Sequence, residues 1–225
     1  MIGRFEDVSK RIGNVEILKN INLEIDSGGV TLIAGPNGSG KSSLIKLLVG
    51  FWRPSSGRVT LLGRNPWNNP EIKRIVGISI DPPSLPKYRK GKDLIKFLEE
   101  LKEIKADRNL IQRLFPPYTA ALNRPVAEYS SGMKKRLSIL LALLGGENEL
   151  LILDEPFSGL DVSGISEVAR IIKQRAANGT NMIILSHLWR PIYNIIDRTV
   201  VLVGGEVAFA GERDEGIEFL QRLGI

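Results

Sequence analysis

The chain has 225 residues, 43% hydrophobic and 25% charged, a composition of folded proteins and not of disordered ones. Lys and Arg number 31 against 25 Asp and Glu, and the resulting net charge of +6 admits nucleic acid, an anionic surface or neither as a partner. The lack of cysteine and the single histidine, His187, exclude disulfides, thiolate catalysis, Cys-ligated zinc and any His-rich metal centre.

In chain order, Arg4, Glu6, Asp7, Lys10 and Arg11 come before any apolar stretch, which does not fit a secretory signal. Phe5–Val8 and Ile21–Ile25, with the turn residues Asp26-Ser27-Gly28-Gly29 between them and the next run, read as strands of an antiparallel side sheet. Arg58–Leu61, after Ser55-Ser56-Gly57, joins them. Val30–Ala34 is a short apolar strand, and Lys41–Leu48 follows with Leu44, Ile45, Leu47 and Leu48 at helical spacing. Val76–Ile80, Leu150–Leu153, Met182–Leu185 and Val200–Val203 are short and almost wholly apolar, as strands covered on both faces are.

Residues 86–130 interrupt this rhythm with helical spacing. Leu94, Phe97, Leu98 and Leu101 share one face, followed by Leu110, Ile111, Leu114 and Phe115, with Pro116-Pro117 as a stop. Val162–Ala176 is a further helix, with Ile165, Val168, Ala169, Ile172 and Ala176 on one face and Asn178-Gly179 ending it. The longest apolar run, Ile139–Leu144, falls far short of the ~20 residues of a membrane span. The expected fold is α/β: a phosphate-loop core with a mostly parallel sheet, an antiparallel side sheet and a helical lobe inserted at about 86–130, all in one domain over 1–225.

Gly35-Pro36-Asn37-Gly38-Ser39-Gly40-Lys41-Ser42 fits G-x-x-x-x-G-K-[ST] between a strand and a helix. The glycines let backbone N–H groups turn inward around phosphate oxygens, and the helix N-terminus adds a positive dipole end. Lys41 supplies charge for the β- and γ-phosphates and Ser42 a hydroxyl for Mg²⁺; Ser43 completes the nucleotide-binding set. Leu150-Leu151-Ile152-Leu153-Asp154-Glu155 ends an apolar strand in two carboxylates. Alone, such a strand end is as often a solvated tip; beside a phosphate loop, Asp154 suits Mg²⁺ and Glu155 can polarise an attacking water.

Tyr129-Ser130-Ser131-Gly132-Met133-Lys134-Lys135-Arg136-Leu137 resembles the signature motif of ATP-binding cassette (ABC) ATPases. Ser158-Gly159-Leu160-Asp161 resembles that family's D-loop, with Asp161 its acidic residue, and Leu185-Ser186-His187 its switch histidine. The order of motifs covers essentially the whole chain, and Ser-Ser-Gly-Met-Lys-Lys-Arg-Leu is similar to cassettes of ABC-2 exporters.

The resemblance implies a head-to-tail dimer, either a homodimer or a heterodimer with a second cassette. Ser130, Ser131, Gly132 and Met133 of one protomer would cover the γ-phosphate held by the other. It makes Glu155 the base and His187 the γ-phosphate sensor. It also implies a transmembrane permease subunit as partner, a cytoplasmic position on the inner face of the cell membrane, and no nucleic acid.

Three positions depart from the family pattern. Asp81 falls where the Q-loop glutamine is expected, which sets it among the metal-side residues one methylene short. Ile12 falls where an aromatic stacks on adenine, with Phe5 the nearest aromatic in sequence, and Tyr129 replaces the leucine that opens the signature. Lys87, Arg89, Lys90 and Lys92 surround Tyr88 and Gly91 in a segment that either faces the transmembrane subunit or is a solvated loop.

The resulting expectation is an ATP-hydrolysing subunit powering a membrane transporter, an exporter by preference. The alternative is a non-transport cassette ATPase acting on a ribosome, nucleic acid or a cofactor-assembly scaffold.

Overall fold

The computed structural model describes residues 1–115, 119–144 and 149–225. The chain opens with β1 (Gly3–Ile12) and β2 (Val15–Ile25), then β3 (Val30–Ala34), α1 (Lys41–Leu48) and β4 (Ser56–Leu61). After α2 (Ile72–Ile75) and β5 (Val76–Ser79) come α3 (Gly91–Lys102), α4 (Arg108–Leu114) and two 3-10 turns at Thr119–Asn123 and Val126–Glu128. Next are α5 (Ser131–Leu143), β6 (Leu150–Asp154), α6 (Val162–Ala177), β7 (Asn181–Leu185) and a 3-10 segment at Arg190–Ile195. The chain finishes with β8 (Arg198–Val203), β9 (Glu206–Glu212) and α7 (Arg213–Arg222).

Two sheets organise these elements. β2-β1-β4 is antiparallel, and β5-β6-β7-β3-β8-β9 is parallel except for its last strand, β9. Alternation along the strands gives each sheet face its own core. On β6, Leu150 and Ile152 face the side sheet and α1, while Leu151 and Leu153 face α5, α6 and α7. β7 repeats the division, with Ile183 and Leu185 on one side and Met182 and Ile184 on the other. Strands buried on both faces have no polar side to show, which is why they read as apolar runs.

The helical segment 91–128 lies between β5 and β6, and the apolar face read on α3 is only partly covered. Leu94, Phe97, Leu98 and Leu101 do not form a buried face: Phe97 is 59% and Leu101 50% exposed, and α3 buries Gly91 and Ile95 instead. Helix α4 ends at Leu114, and the expected Pro116-Pro117 stop lies outside the described residues. Gly91 sits against Tyr129: a Cβ there would come within 2.4 Å of the phenol oxygen. That hydroxyl donates to the Ala121 carbonyl (2.8 Å), so the tyrosine opening the signature ties the lobe together.

The order β5-β6-β7-β3 decides where chemistry falls. Four parallel strands end at one edge, and each delivers a loop there: Asp81 after β5, Glu155 after β6, His187 after β7 and the phosphate loop after β3. Ligands of open α/β sheets bind at such carboxyl ends.

Candidate nucleotide site

A cavity of about 440 Å³ lies at that edge, lined by Ile17, Asn37, Gly38, Ser39, Gly40, Lys41, Ser42, Ser43, Asp81, Asp154 and Glu155. Gly40 precedes α1 at φ 101°, a left-handed turn where a Cβ would strike Leu18 at 2.6 Å. That turn brings α1 to the cavity by its N-terminus. Lys41 donates to the carbonyls of Gly35 (2.8 Å) and Pro36 (2.9 Å), so the lysine is folded across its own loop. Burial lowers its pKa, and the Glu155 and Asp154 carboxylates oppose that effect.

Asp154 is the buried carboxylate of the site. Burial raises its pKa above the ordinary range, against the lowering by its hydrogen bonds with Ser42 and the Asp81 backbone N–H and by nearby Lys135. Glu155 stands at φ 45°, a left-handed conformation that costs a non-glycine residue about 1–3 kcal/mol and is held here by its neighbours. Its N–H donates to the Leu185 carbonyl (2.8 Å), which sets the carboxylate beside the end of β7. There His187 Nδ1 lies 2.9 Å from Glu155 Oε2, and the His187 N–H donates weakly to the same carboxylate.

Asp81 lines the cavity, but its carboxylate is engaged: Lys135 Nζ lies 2.6 Å away and donates also to the Asp154 carbonyl at 3.0 Å. No cluster of three or more His, Asp or Glu side chains that could hold a metal occurs among the described residues. A bound Mg²⁺ would therefore take only part of its oxygen shell from Ser42 and the carboxylates and the rest from phosphates and water, as this ion commonly does. The donor set fits on that count. Ser39 Oγ, buried in the loop, has no protein partner.

The signature stands apart from this cavity. Ser130 caps α5 by accepting from the Met133 N–H (3.2 Å), and Ser130 and Ser131 are exposed at its N-terminus. None of Ser130, Ser131, Gly132 or Met133 lines the cavity of its own chain. Gly132 packs on Gly159, where a Cβ would come within 2.7 Å of the carbonyl oxygen, so signature and D-loop form one surface. Asp161 caps α6, accepting from the Gly164 N–H (2.9 Å) and from Ser163, and pairs with Arg136 at 2.8 Å. The Gly164 N–H, more than any other group, holds its carboxyl below the usual range.

Two residues near the expected adenine position fall differently from the sequence reading. Ile12 is half-exposed at the tip of the β1–β2 hairpin and does not line the cavity, whereas Ile17, which sequence reasoning missed, does. Phe5 is buried in the side-sheet core at 1% exposure and cannot reach a base there. Lys135 was also missed as a partner of Asp81, because 54 residues separate the two and only the α5–β5 packing joins them.

The family profile described as ABC transporter matches residues 18–158. The chain is 34% identical to an uncharacterised ABC transporter ATP-binding protein, YdbJ of Bacillus subtilis, over 90% of this chain and 66% of that one. It is 32% identical to the lantibiotic transport ATP-binding protein SrtF of Streptococcus pyogenes, over 98% of this chain and 94% of that one. Among solved structures, an ATP-binding subunit of an ABC transporter superposes with a TM-score of 0.80 at 24% identity, covering 100% of this chain and 94% of the other. A dimeric post-hydrolysis state of the cassette MJ0796 with ADP and Pi superposes at 0.81 with 19% identity, covering 94% and 99%. The fold and the site together define a phosphate-loop ATPase of the cassette class. The chain belongs to the ABC transporter family, as an ATP-binding, ATP-hydrolysing cassette.

Proposed function

We propose that this chain hydrolyses ATP to power a membrane transporter, in the direction of export. The observation that carries the hydrolytic part is the convergence of Lys41, Ser42, Asp154, Glu155 and His187 at the ends of adjacent strands. Lys41 would leave its own loop carbonyls for the phosphates. Ser42 and Asp154 would hold Mg²⁺, which when bound supplies charge neutralisation at the β- and γ-phosphates. Glu155 would take the proton of the attacking water, oriented by His187 through its Nδ1 contact. The hydrolytic site would be completed by a second cassette, identical or sister. Its Ser130, Ser131, Gly132 and Met133 would cover the nucleotide with the exposed N-terminus of α5, and Asp161 would lie in the adjoining D-loop.

The transport part rests on the relatives named for transport and on a groove of about 440 Å³ lined by Phe51, Ile78, Ile80, Ser84, Leu85, Ser138 and Leu141. Shortly after Leu85 in the chain, Tyr88 is 91% exposed, flanked by exposed Lys87, Arg89 and Lys90. An apolar groove followed in the chain by an exposed basic segment suits a permease segment at the inner face of the cell membrane. No helix among the described residues is long and apolar enough to cross a membrane, so the translocation path would belong to that partner. The whole of 1–225 would act as one cassette, with 86–130 as its helical lobe. Affinity purification of the tagged chain from its own cells tests the reading: co-elution of a polytopic membrane protein supports it. Co-elution of RNA or DNA with no membrane protein sinks it in favour of a non-transport ATPase.

A further inference from the structure

Lys135 is among the largest fully buried side chains of the described residues, at 1% exposure, and it carries an amine. A buried ammonium has to be paired or satisfied by hydrogen bonds. Its Nζ meets the Asp81 carboxylate at 2.6 Å and the Asp154 carbonyl at 3.0 Å. Asp81 returns its own backbone N–H to the Asp154 carboxylate, which also bonds Ser42. One cation from the helix that begins at the signature thus fastens the loop after β5 to the end of β6, directly behind the nucleotide cavity.

Charge explains why a cation belongs there. Three carboxylates, Asp81, Asp154 and Glu155, line the cavity against a single lysine, Lys41. A polyphosphate entering such a site meets repulsion unless cations offset it. The neutral glutamine of the family pattern at this position would need no counter-ion; an aspartate does.

We propose that Lys135 is a positioning residue of the nucleotide site, holding Asp81 as half of a neutral ion pair, so that Asp81 is not a free metal ligand. Asp81 and Lys135 then form a unit that stands in for a neutral amide. This rests on the reading of the cavity as the ATP site. It replaces the metal-ligand role expected for Asp81 with an indirect one.

A double-mutant cycle on the full chain tests it, with Asp81→Gln, Lys135→Gln and the two combined. Binding of ATP is titrated calorimetrically in EDTA and across Mg²⁺ concentrations, and melting is followed without nucleotide. Lys135→Gln strips Asp81 of its counter-ion and should weaken ATP binding about tenfold, more in EDTA than with Mg²⁺. Asp81→Gln leaves the buried ammonium unpaired and should lower Tm by roughly 4–8 °C, with the Mg²⁺ requirement unchanged. The double variant, with two neutral amides, should return both readings to about twofold and about 2 °C of wild type. Should a single variant fail to fold, a double that folds and binds is itself the rescue.

Additive losses in the double variant overturn the proposal, as does a double variant that does not fold. So does a rise of tenfold or more in the Mg²⁺ needed by Asp81→Gln with none in Lys135→Gln, which would make Asp81 a metal ligand in its own right. A wild-type chain that binds no ATP would overturn the reading of the cavity first, and is seen before any variant is made.

Discussion

His187 Nδ1 and Glu155 Oε2 lie 2.9 Å apart, joining the loops that follow two neighbouring strands, β6 and β7. The histidine is two-thirds exposed and the glutamate mostly buried, so the contact positions the glutamate from the open side. Glu155→Gln keeps the volume and the backbone but removes the proton acceptor. Hydrolysis should fall by about 10²–10⁴-fold, with ATP affinity kept within a few-fold. An ATP-bound dimer should then accumulate and be visible by light scattering with ATP and Mg²⁺. A variant hydrolysing at the wild-type rate would remove Glu155 from the reaction. If the functional dimer is formed with a sister cassette, the isolated variant stays monomeric and the scattering test needs that partner.

Lys41→Ala removes the cation that now bridges the Gly35 and Pro36 carbonyls. A charge-assisted contact to phosphate contributes about 1.5–3 kcal/mol, so ATP affinity should fall roughly tenfold to a hundredfold. The fold should be retained, since Lys41 is only partly buried and its carbonyl partners can turn to water. Unchanged affinity in a titration would place the phosphates elsewhere.

The doubly buried strands and the phosphate loop were legible because their composition leaves few other readings. Residues 206–222 were not. β9 is an outer strand of the sheet, mixing Glu, Ala and Gly with Val207 and Phe209, and α7 buries only Gly216, Ile217 and Leu220. A weak apolar signal of that kind gains its meaning from the strand it pairs with. β1 and β2 extend beyond the runs read for them into stretches that, Gly3 and Leu18 apart, are half-exposed or exposed and mix apolar with polar residues, with register shifts along β1. In α3 the apolar spacing is real and marks the helix, but it does not tell what covers it. Phe97 and Leu101 look outward, and periodicity alone does not say which face has a neighbour. The Asp81–Lys135 pair depends on tertiary packing and leaves no local trace.

Asp154 ties stability to pH. Its carboxyl titrates above the ordinary range in the folded protein because it is buried. Between the ordinary value and the raised one, the folded chain binds more protons than the unfolded chain, so stability falls as pH rises through that window. Above it the cost is present in full. Asp154→Asn removes the ionisation and keeps an acceptor oxygen for Ser42 or the Asp81 N–H. Without nucleotide and in EDTA, this variant should melt a few degrees above wild type at neutral pH. The gap should close as pH is lowered through the window. A gap that widens on acidification would reverse the sign argued here.

Neutralising Lys87, Arg89 and Lys90 together separates docking from nucleotide binding. The loop is tied by its backbone: the Ala127 N–H donates to the Lys87 carbonyl (2.8 Å) and the Val126 N–H to the Arg89 carbonyl (2.9 Å). Those bonds survive side-chain replacement, and the side chains themselves are exposed. Tm and ATP affinity should stay within about 2 °C and twofold, as for surface changes generally. Recovery of a membrane partner in affinity purification should fall severalfold. Undiminished recovery would mean that the cluster is only a solvated loop.

Adenine recognition is the last point on which the residues commit to an outcome. Ile17 is the hairpin residue lining the cavity, and Ile12 stands half-exposed at the hairpin tip, so neither offers an aromatic face. Stacking on a base contributes about 1–3 kcal/mol by alanine substitution, and a site without it should discriminate weakly between ATP and GTP. Ile12→Tyr should tighten ATP binding by about 1 kcal/mol, roughly fivefold, if the base lies against this hairpin. Phe5→Ala acts differently, because Phe5 is buried among the side-sheet residues. It should cost about 3–5 kcal/mol of stability, seen as a lower Tm, with ATP affinity unchanged in the protein that remains folded. Titrations of ATP and GTP against wild type and Ile12→Tyr, with melts of Phe5→Ala, decide the matter. Equal ATP affinity in wild type and Ile12→Tyr would move the base away from residue 12. A loss of ATP affinity in well-folded Phe5→Ala would place an aromatic at the base after all.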